Sequence, residues 1–346
     1  MWLLAATLGG LGVAAWMLGA AGLSHVLHVA SRIGWGGFLV YCAWSIAVAG
    51  LLGAAWAASS PPLAIAPNLV RFAWARLVRE GASDVLPFSQ VGGLVIGIRM
   101  LIARGLPGPL VNAAAMVDLT TEMAGQIVFT LFGIAGFVML RSSDGQSELL
   151  TPILIGIAVM IALMAAFFAA QRWALKLGQA LLSQMLPSVG QGLGDVRTEL
   201  ARIYGERRRV VLALAFNIAG WVVSAAGAWI ALRLMGVKLP LINVLVIESL
   251  IFVLRSVAFA IPGALGVQEA AYALLGPLLG LAAPAALALS LAKRARDIAI
   301  GLPALLAWQV GESRALARAK RERQLGLAAA TNRTIYDRLV SGENNR

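Results

Sequence analysis

Six long apolar runs punctuate the chain: Trp2 to Leu23, Trp35 to Ala58, Val111 to Leu140, Thr151 to Gln171, Val210 to Met235 and Ala285 to Val310. Each reaches the roughly 20 residues that a helix needs to cross a hydrocarbon layer, so each predicts one spanning helix. The first has no basic stretch before it and outruns the core of a secretory signal, which predicts a retained helix. Ser59-Ser60-Pro61-Pro62 ends the second run with residues that cannot continue a helix. Two further regions, 63 to 103 and 239 to 281, are apolar but interrupted. The first is amphipathic from Leu63 to Val85, then broken by Pro87, Gln90, Gly92, Gly93 and Arg99. The second carries Glu248, Arg255, Pro262, Gly263, Gly266, Glu269 and Pro277 within aliphatic sequence. Two full crossings or a re-entrant hairpin of two short helices would each satisfy such a region. We favour the hairpins, because irregular backbone at membrane depth is tolerated only against protein or water. The expected fold is an all-α polytopic integral membrane protein, with about six full spans plus two broken-helix hairpins.

Composition agrees. At 60% hydrophobic and 13% charged residues, with a mean hydropathy of +0.83, the 346-residue chain departs from soluble proteins in both respects. A water-soluble globule and a disordered chain are both excluded. The single cysteine, Cys42, permits no intrachain disulfide and no Cys-based metal site. The net charge of +12 would suggest nucleic acid in a soluble protein, but it is concentrated in two segments. Residues 171 to 209 hold seven Lys/Arg against three Asp/Glu, and the tail from Glu312 to Arg346 holds eight against four. Both read as cytoplasmic flanks of spanning helices. No aromatic-interleaved basic module accompanies them, so nucleic acid is not an expected partner.

The expected organisation is a transmembrane domain over 1 to 311 and a basic cytoplasmic tail over 312 to 346. Residues 171 to 209 form a cytoplasmic interfacial linker, residues 141 to 149 an external loop, and both termini are cytoplasmic. Trp2, Trp35, Trp56, Trp173 and Trp308 lie near span ends, as an aromatic belt requires. A multi-pass protein of the cytoplasmic (inner) membrane follows.

Sliding the second half back by 175 residues brings landmarks together. Position 210 falls on 35, Pro262 on Pro87, Arg255 on Glu80, Lys293 on Asp118 and Asp297 on Glu122. Charge bias puts Trp35 at the outer face and Val210 at the inner face, so the proposed units, 35 to 135 and 210 to 310, run in opposite senses. An inverted pair with interrupted segments at matching depth is the architecture of secondary transporters.

Ionisable groups within the apolar sequence are the candidate chemistry, because they are costly in a membrane and tend to face protein or water. Asp118 and Glu122 share one helix face at i and i+4. Glu248 and Arg255, seven apart, return to nearly the same face and could pair directly or through Asp118 or Glu122. Arg294 or Lys293 complements Asp297 on the last span. Pro262 and Gly263 break a helix, Gly266 permits close backbone approach, and Glu269 sits in the first turn of the next half-helix. Freed amides there suit an anion; a plain helix kink with Glu269 complementing the helix dipole is the competing account. The candidate substrate-binding set is Asp118, Glu122, Glu248, Arg255, Pro262, Gly263, Gly266, Glu269, Arg294 and Asp297. His25 and His28, in an expected loop, lack a third ligand. No nucleotide loop, Asp-x-Asp string or Ser-His-Asp set is present, so neither a cofactor nor an enzymatic activity is expected.

The string Ile261-Pro262-Gly263-Ala264-Leu265-Gly266-Val267-Gln268-Glu269, preceded by Arg255, resembles a signature of the flippase-like transmembrane region of lysylphosphatidylglycerol synthases. Ala264 departs from the usual second glycine. Val117-Asp118-Leu119-Thr120-Thr121-Glu122, followed by Gln126, Phe129 and Gly133, resembles the acidic helix of the stand-alone hopanoid-biosynthesis-associated branch. The likeness extends over most of residues 1 to 315, by hydropathy outside these strings. It implies a lipid transporter or flippase-like protein, acting on a hopanoid or phospholipid, with lipid-synthesis or lipid-export proteins as possible partners. No catalytic domain follows, so lysyl transfer is not implied. An integral membrane enzyme acting on a lipid headgroup and a non-transporting scaffold for lipid synthesis are the competing classes.

Overall fold

The computed structural model describes residues 2–61, 63–85, 89–142, 187–257 and 264–341. Among the described residues there are eleven helices and no strand. They are α1 Trp2–Ala20, α2 Leu23–Ser31, α3 Gly34–Ala58, α4 Ile65–Val85, α5 Ser89–Ala103, α6 Gly108–Ser142, α7 Pro187–Gly205, α8 Arg207–Leu234, α9 Leu241–Val257, α10 Val267–Leu278 and α11 Ala283–Ser341. The expected span Thr151 to Gln171 and the loop from Ser143 lie outside the described residues, as do Pro87, Pro262 and Gly263.

Among the described residues, Gly34–Ala58, Gly108–Leu140 and Arg207–Leu234 are long and apolar enough to cross a membrane. A fourth span arises if the bent pair Gly12–Ala20 and Leu23–Ser31 is one unit, although it turns through 88°. The bend lies at Gly22, whose φ of 83° is open to glycine but strained for other residues. It places His25 and His28 on α2, where a loop was expected. Lys293, Arg294, Arg296 and Asp297 give the corresponding part of α11 too many charges to count as an apolar span.

Among the described residues, each interrupted region contains two helices. α4 and α5 have 21 and 15 residues, and α9 and α10 have 17 and 12. At about 1.5 Å per residue only α4 matches a hydrocarbon layer of about 30 Å. The helices that follow, α6 and α11, are entered through turns of one design. Gly105 and Gly280 both adopt positive φ, 86° and 84°. Beside them Leu106 N–H donates to Leu101 O and Leu281 N–H to Gly276 O, the 6→1 bond of a Schellman cap. Pro109 and Pro284 then occupy the second position of α6 and α11, where a missing amide costs nothing. Every member of this turn is 175 positions from its counterpart.

α3 and α8 pack antiparallel. Leu234 meets Gly37, Trp44 meets Gly227, and Leu52 meets Gly220, so position numbers rise on one helix as they fall on the other. The Trp44 indole N–H donates to Val223 O at 2.8 Å, tying the pair. At one end, the Arg209 guanidinium donates to Leu63 O, placing the close of α3 beside the start of α8. α3 also packs on α4, α6 on both α8 and α9, and α10 on α1. The main apolar cluster joins residues of α8 through α11, including Leu232, Ile247, Ile251, Tyr272 and Leu289, to Val26 and Val29 of α2. The chain divides into two compact units, Met1–Gly301 and Leu302–Arg346. In the second unit the described helix exposes Leu302, Leu306 and Val310 at i, i+4 and i+8.

Candidate functional site

The buried face of α4 runs through Phe72, Ala75, Val78 and Ala82, at the spacing of one helix face. Arg76 and Arg79 lie on that same face, 1% and 4% exposed. Their partners come from α6. Arg76 donates to both Glu122 oxygens, from Nη1 at 3.0 Å and Nη2 at 2.5 Å, a fork-on-fork arrangement. Arg79 donates to Asp118 Oδ2 at 3.1 Å and to Glu122 Oε2 at 2.8 Å. Arg76 Nη1 also reaches Asp118 Oδ2 at 3.4 Å, and its Nε lies 2.8 Å from Glu80. The Arg79 guanidinium stands over the Trp56 ring, 5.9 Å from its centroid. Two permanent cations and two carboxylates thus neutralise one another with almost no water contact. Buried charges of this kind are tolerable only when paired and hydrogen-bonded.

The second half holds a different group. Glu248 of α9 accepts from Lys293 Nζ of α11 at 2.5 Å and from the Tyr272 hydroxyl of α10. Lys293 also donates to the Tyr272 oxygen at 3.0 Å, closing a triangle across three helices. Next to it, Glu269 caps α10 by accepting the Gly266 N–H at 2.8 Å. Its other oxygen accepts from Ser290 at 3.1 Å and Arg294 Nε at 3.2 Å. Gln268 donates to Ser290 at 2.8 Å. Arg296 pairs with its neighbour Asp297 and donates to the Tyr41 hydroxyl at 3.1 Å, linking α11 to α3.

The structure therefore sorts the ten sequence candidates. Asp118 and Glu122 share one cluster, with arginines of α4. Glu248 pairs with Lys293 of α11. Glu269 and Arg294 pair with each other, Gly266 contributes the capped amide, and Asp297 pairs with Arg296. Arg255 is half-buried on α9, within electrostatic reach of Tyr272 and Lys293. Pro262 and Gly263 lie outside the described residues.

Arg76, Arg79 and Tyr272 were not among the candidates. The arginines carried a legible signal, since both fall on the apolar face of α4. Tyr272 sits three positions after Glu269, on the same side of α10, but nothing local marks it as a partner for a residue 24 positions earlier. Among the described residues no group of His, Cys, Asp and Glu is arranged to hold a metal.

A chain of long apolar helices with ion pairs sealed between them is a multi-pass membrane protein. No curated protein and no solved structure matches it. The family model described as lysylphosphatidylglycerol synthase TM region matches residues 2–304. With nearly the whole helical region matched, the chain belongs to the lysylphosphatidylglycerol synthase TM region family, a group of lipid-modification or flippase-like membrane proteins.

Proposed function

We propose that this protein moves a lipid with a polar headgroup, a phospholipid or a hopanoid, across or out of the cytoplasmic membrane. It works as an inverted pair of units, 35–135 and 210–310, and belongs to the stand-alone, hopanoid-associated branch of its family. The observation that carries the reading is the reciprocal packing of α3 and α8. Adding 175 to Leu52 gives Gly227, and subtracting it from Gly220 gives Ser45. The Leu52–Gly220 contact therefore has its mirror one position from the Trp44–Gly227 contact. Two other crossings exchange at the level of helices: α4 meets α11 at Gly81 and Gly301, and α9 meets α6 at Ser249 and Gly133, each seven positions from the residue that a shift of 175 gives. Such reciprocity is what a two-fold axis generates, and antiparallel α3 and α8 make that axis reverse membrane sense.

Arg207, Arg208 and Arg209 at the start of α8 mark the cytoplasmic end, so α3 runs from outside to inside and both termini are cytoplasmic. Moving a headgroup through hydrocarbon without compensation costs at least several kcal/mol, so polar residues must accompany it. We assign this role to Arg255, with Glu269 and Arg294 beside it. Arg255 suits a phosphate or hydroxyl, and the Glu269 carboxylate an amine.

The purified chain in phosphatidylcholine vesicles, carrying fluorescent phosphatidylglycerol quenched from outside by dithionite, tests the proposal. Expected is protein-dependent loss of the protected inner-leaflet signal, abolished in Arg255→Ala with the variant still folded and inserted. The same assay with a labelled hopanoid separates the two substrate classes. Retention of the protected signal with both lipids would leave the scaffold role, which the mutual pairing of the buried charges favours.

A further inference from the structure

The two ionic clusters differ in what protons can do to them. In the first, Arg76 and Arg79 cannot lose a proton, and with Glu122 protonated both would still hold Asp118, so the cluster stays closed. In the second, every member can change state: Glu248 can take a proton, Lys293 can release one, and the Tyr272 hydroxyl contacts both. Glu248 is 7%, Lys293 7% and Tyr272 0% exposed, so each change of charge is felt at low dielectric.

The three side chains belong to α9, α10 and α11, the interrupted pair and the helix that follows. Their bonds fasten these helices to one another. A proton on Glu248 cancels its charge and leaves the Lys293 ammonium without a counter-ion, so the triangle opens.

From this geometry we infer that Glu248, Lys293 and Tyr272 form a proton-binding site that couples lipid movement to proton movement. The inference rests on the transport reading. Glu248 takes a proton from water at one membrane face, the Lys293 contact breaks, and the helices part. When the proton leaves to the other face the pair re-forms. No bond other than that to the proton is made or broken. The charged and titratable groups facing the site act with it: Arg255 from α9, Glu269 from α10, Arg294, Arg296 and Asp297 from α11, and Tyr41 from α3. Arg255 and Arg296 add positive potential at Lys293, so neutralising Glu248 favours an anionic group at the opened triangle.

Vesicles with fluorescent phosphatidylglycerol and a pH indicator in the lumen provide the test. Imposing a pH gradient should change the rate of lipid movement several-fold, with a matching lumenal pH change, and a protonophore should abolish the difference. In Glu248→Gln the ratio of rates with and without the gradient should fall to one. Infrared difference spectra of the detergent-solubilised protein supply a second readout. Acidification should produce a carboxylic-acid band that Glu248→Gln removes and Glu269→Gln retains. Lipid movement indifferent to the gradient, or no Glu248-dependent band, overturns the inference while leaving the transport reading intact. No movement of any lipid probe removes both.

Discussion

Asp118 and Lys293 stand at equivalent points of α6 and α11, each ten residues beyond the first residue of its helix, Gly108 or Ala283, and carry opposite charge. Their partners are transposed to match: arginines on α4 face Asp118, and Glu248 on α9 faces Lys293. In both places a charge on the longer helix is met by the opposite charge from the first helix of the interrupted region before it.

The heavy cluster should be a determinant of folding. Arg76→Ala or Arg79→Ala leaves buried carboxylates short of a partner, a loss of about 3–5 kcal/mol for a broken buried pair. Arg79→Lys keeps the charge but not the fork, and should fall between wild type and Arg79→Ala. Glu80, whose side chain is 47% exposed, should matter little, below about 1 kcal/mol for Glu80→Ala. Thermal unfolding in detergent followed by size-exclusion chromatography ranks the four variants. Equal midpoints for Arg76→Ala and Glu80→Ala would contradict the burial argument.

Two glycines of α3 should respond in opposite directions. A Cβ on Gly53 would lie 2.5 Å from the Ala73 backbone, so Gly53→Val forces α3 from α4 and loses at least about 1–3 kcal/mol. Gly50 has nothing within 4 Å of an added Cβ, and Gly50→Ala should gain about 0.5–1 kcal/mol from helix propensity. The same melting assay reads both.

Glu269 combines a cap with an ion pair, which gives its variants a definite order. Glu269→Gln keeps an acceptor for Gly266 N–H, whereas Glu269→Ala loses both the cap, worth about 1 kcal/mol, and the contact with Arg294. Glu269→Ala should therefore melt below Glu269→Gln. A reversed order would mean that the carboxylate opposes folding.

Topology has its own test. In a Cys42→Ser background, Lys238→Cys between α8 and α9 should react with an impermeant thiol reagent from outside, and Arg207→Cys only from the cytoplasm. Labelling of both from one side would remove the spanning assignment of α8.

Much of this fold is legible in sequence, because long apolar helices are set by local composition. Trp35 to Ala58 and Val210 to Met235 lie within two residues of α3 and three of α8 at each end. The interruptions were legible for the same reason, since prolines, glycines and charges break an apolar pattern wherever they fall. Partner choice was not. Helical arithmetic relates Glu248 to Arg255 but gives no sign of Lys293, 45 positions from Glu248, which the packing of α9 and α11 brings into contact. Likewise, nothing in Leu23 to Ser31 distinguishes a loop from a short helix until Gly22 is seen turning the chain.

In the two units proposed for transport, the ion pairs joining Arg76 and Arg79 to α6 close within 35–135, and those of Lys293 and Arg294 close within 210–310. Between the units the contacts are of another kind: leucine and tryptophan against glycine, backbone against backbone at Gly81 and Gly301, and neutral or phenolic hydrogen bonds such as Asn217 to Thr121 and Arg296 to Tyr41. Sliding one unit over the other separates none of these opposite charges. If the two units move as the proposed transport requires, their seam is a greased bearing, and its friction is that of dispersion and a few exchangeable hydrogen bonds.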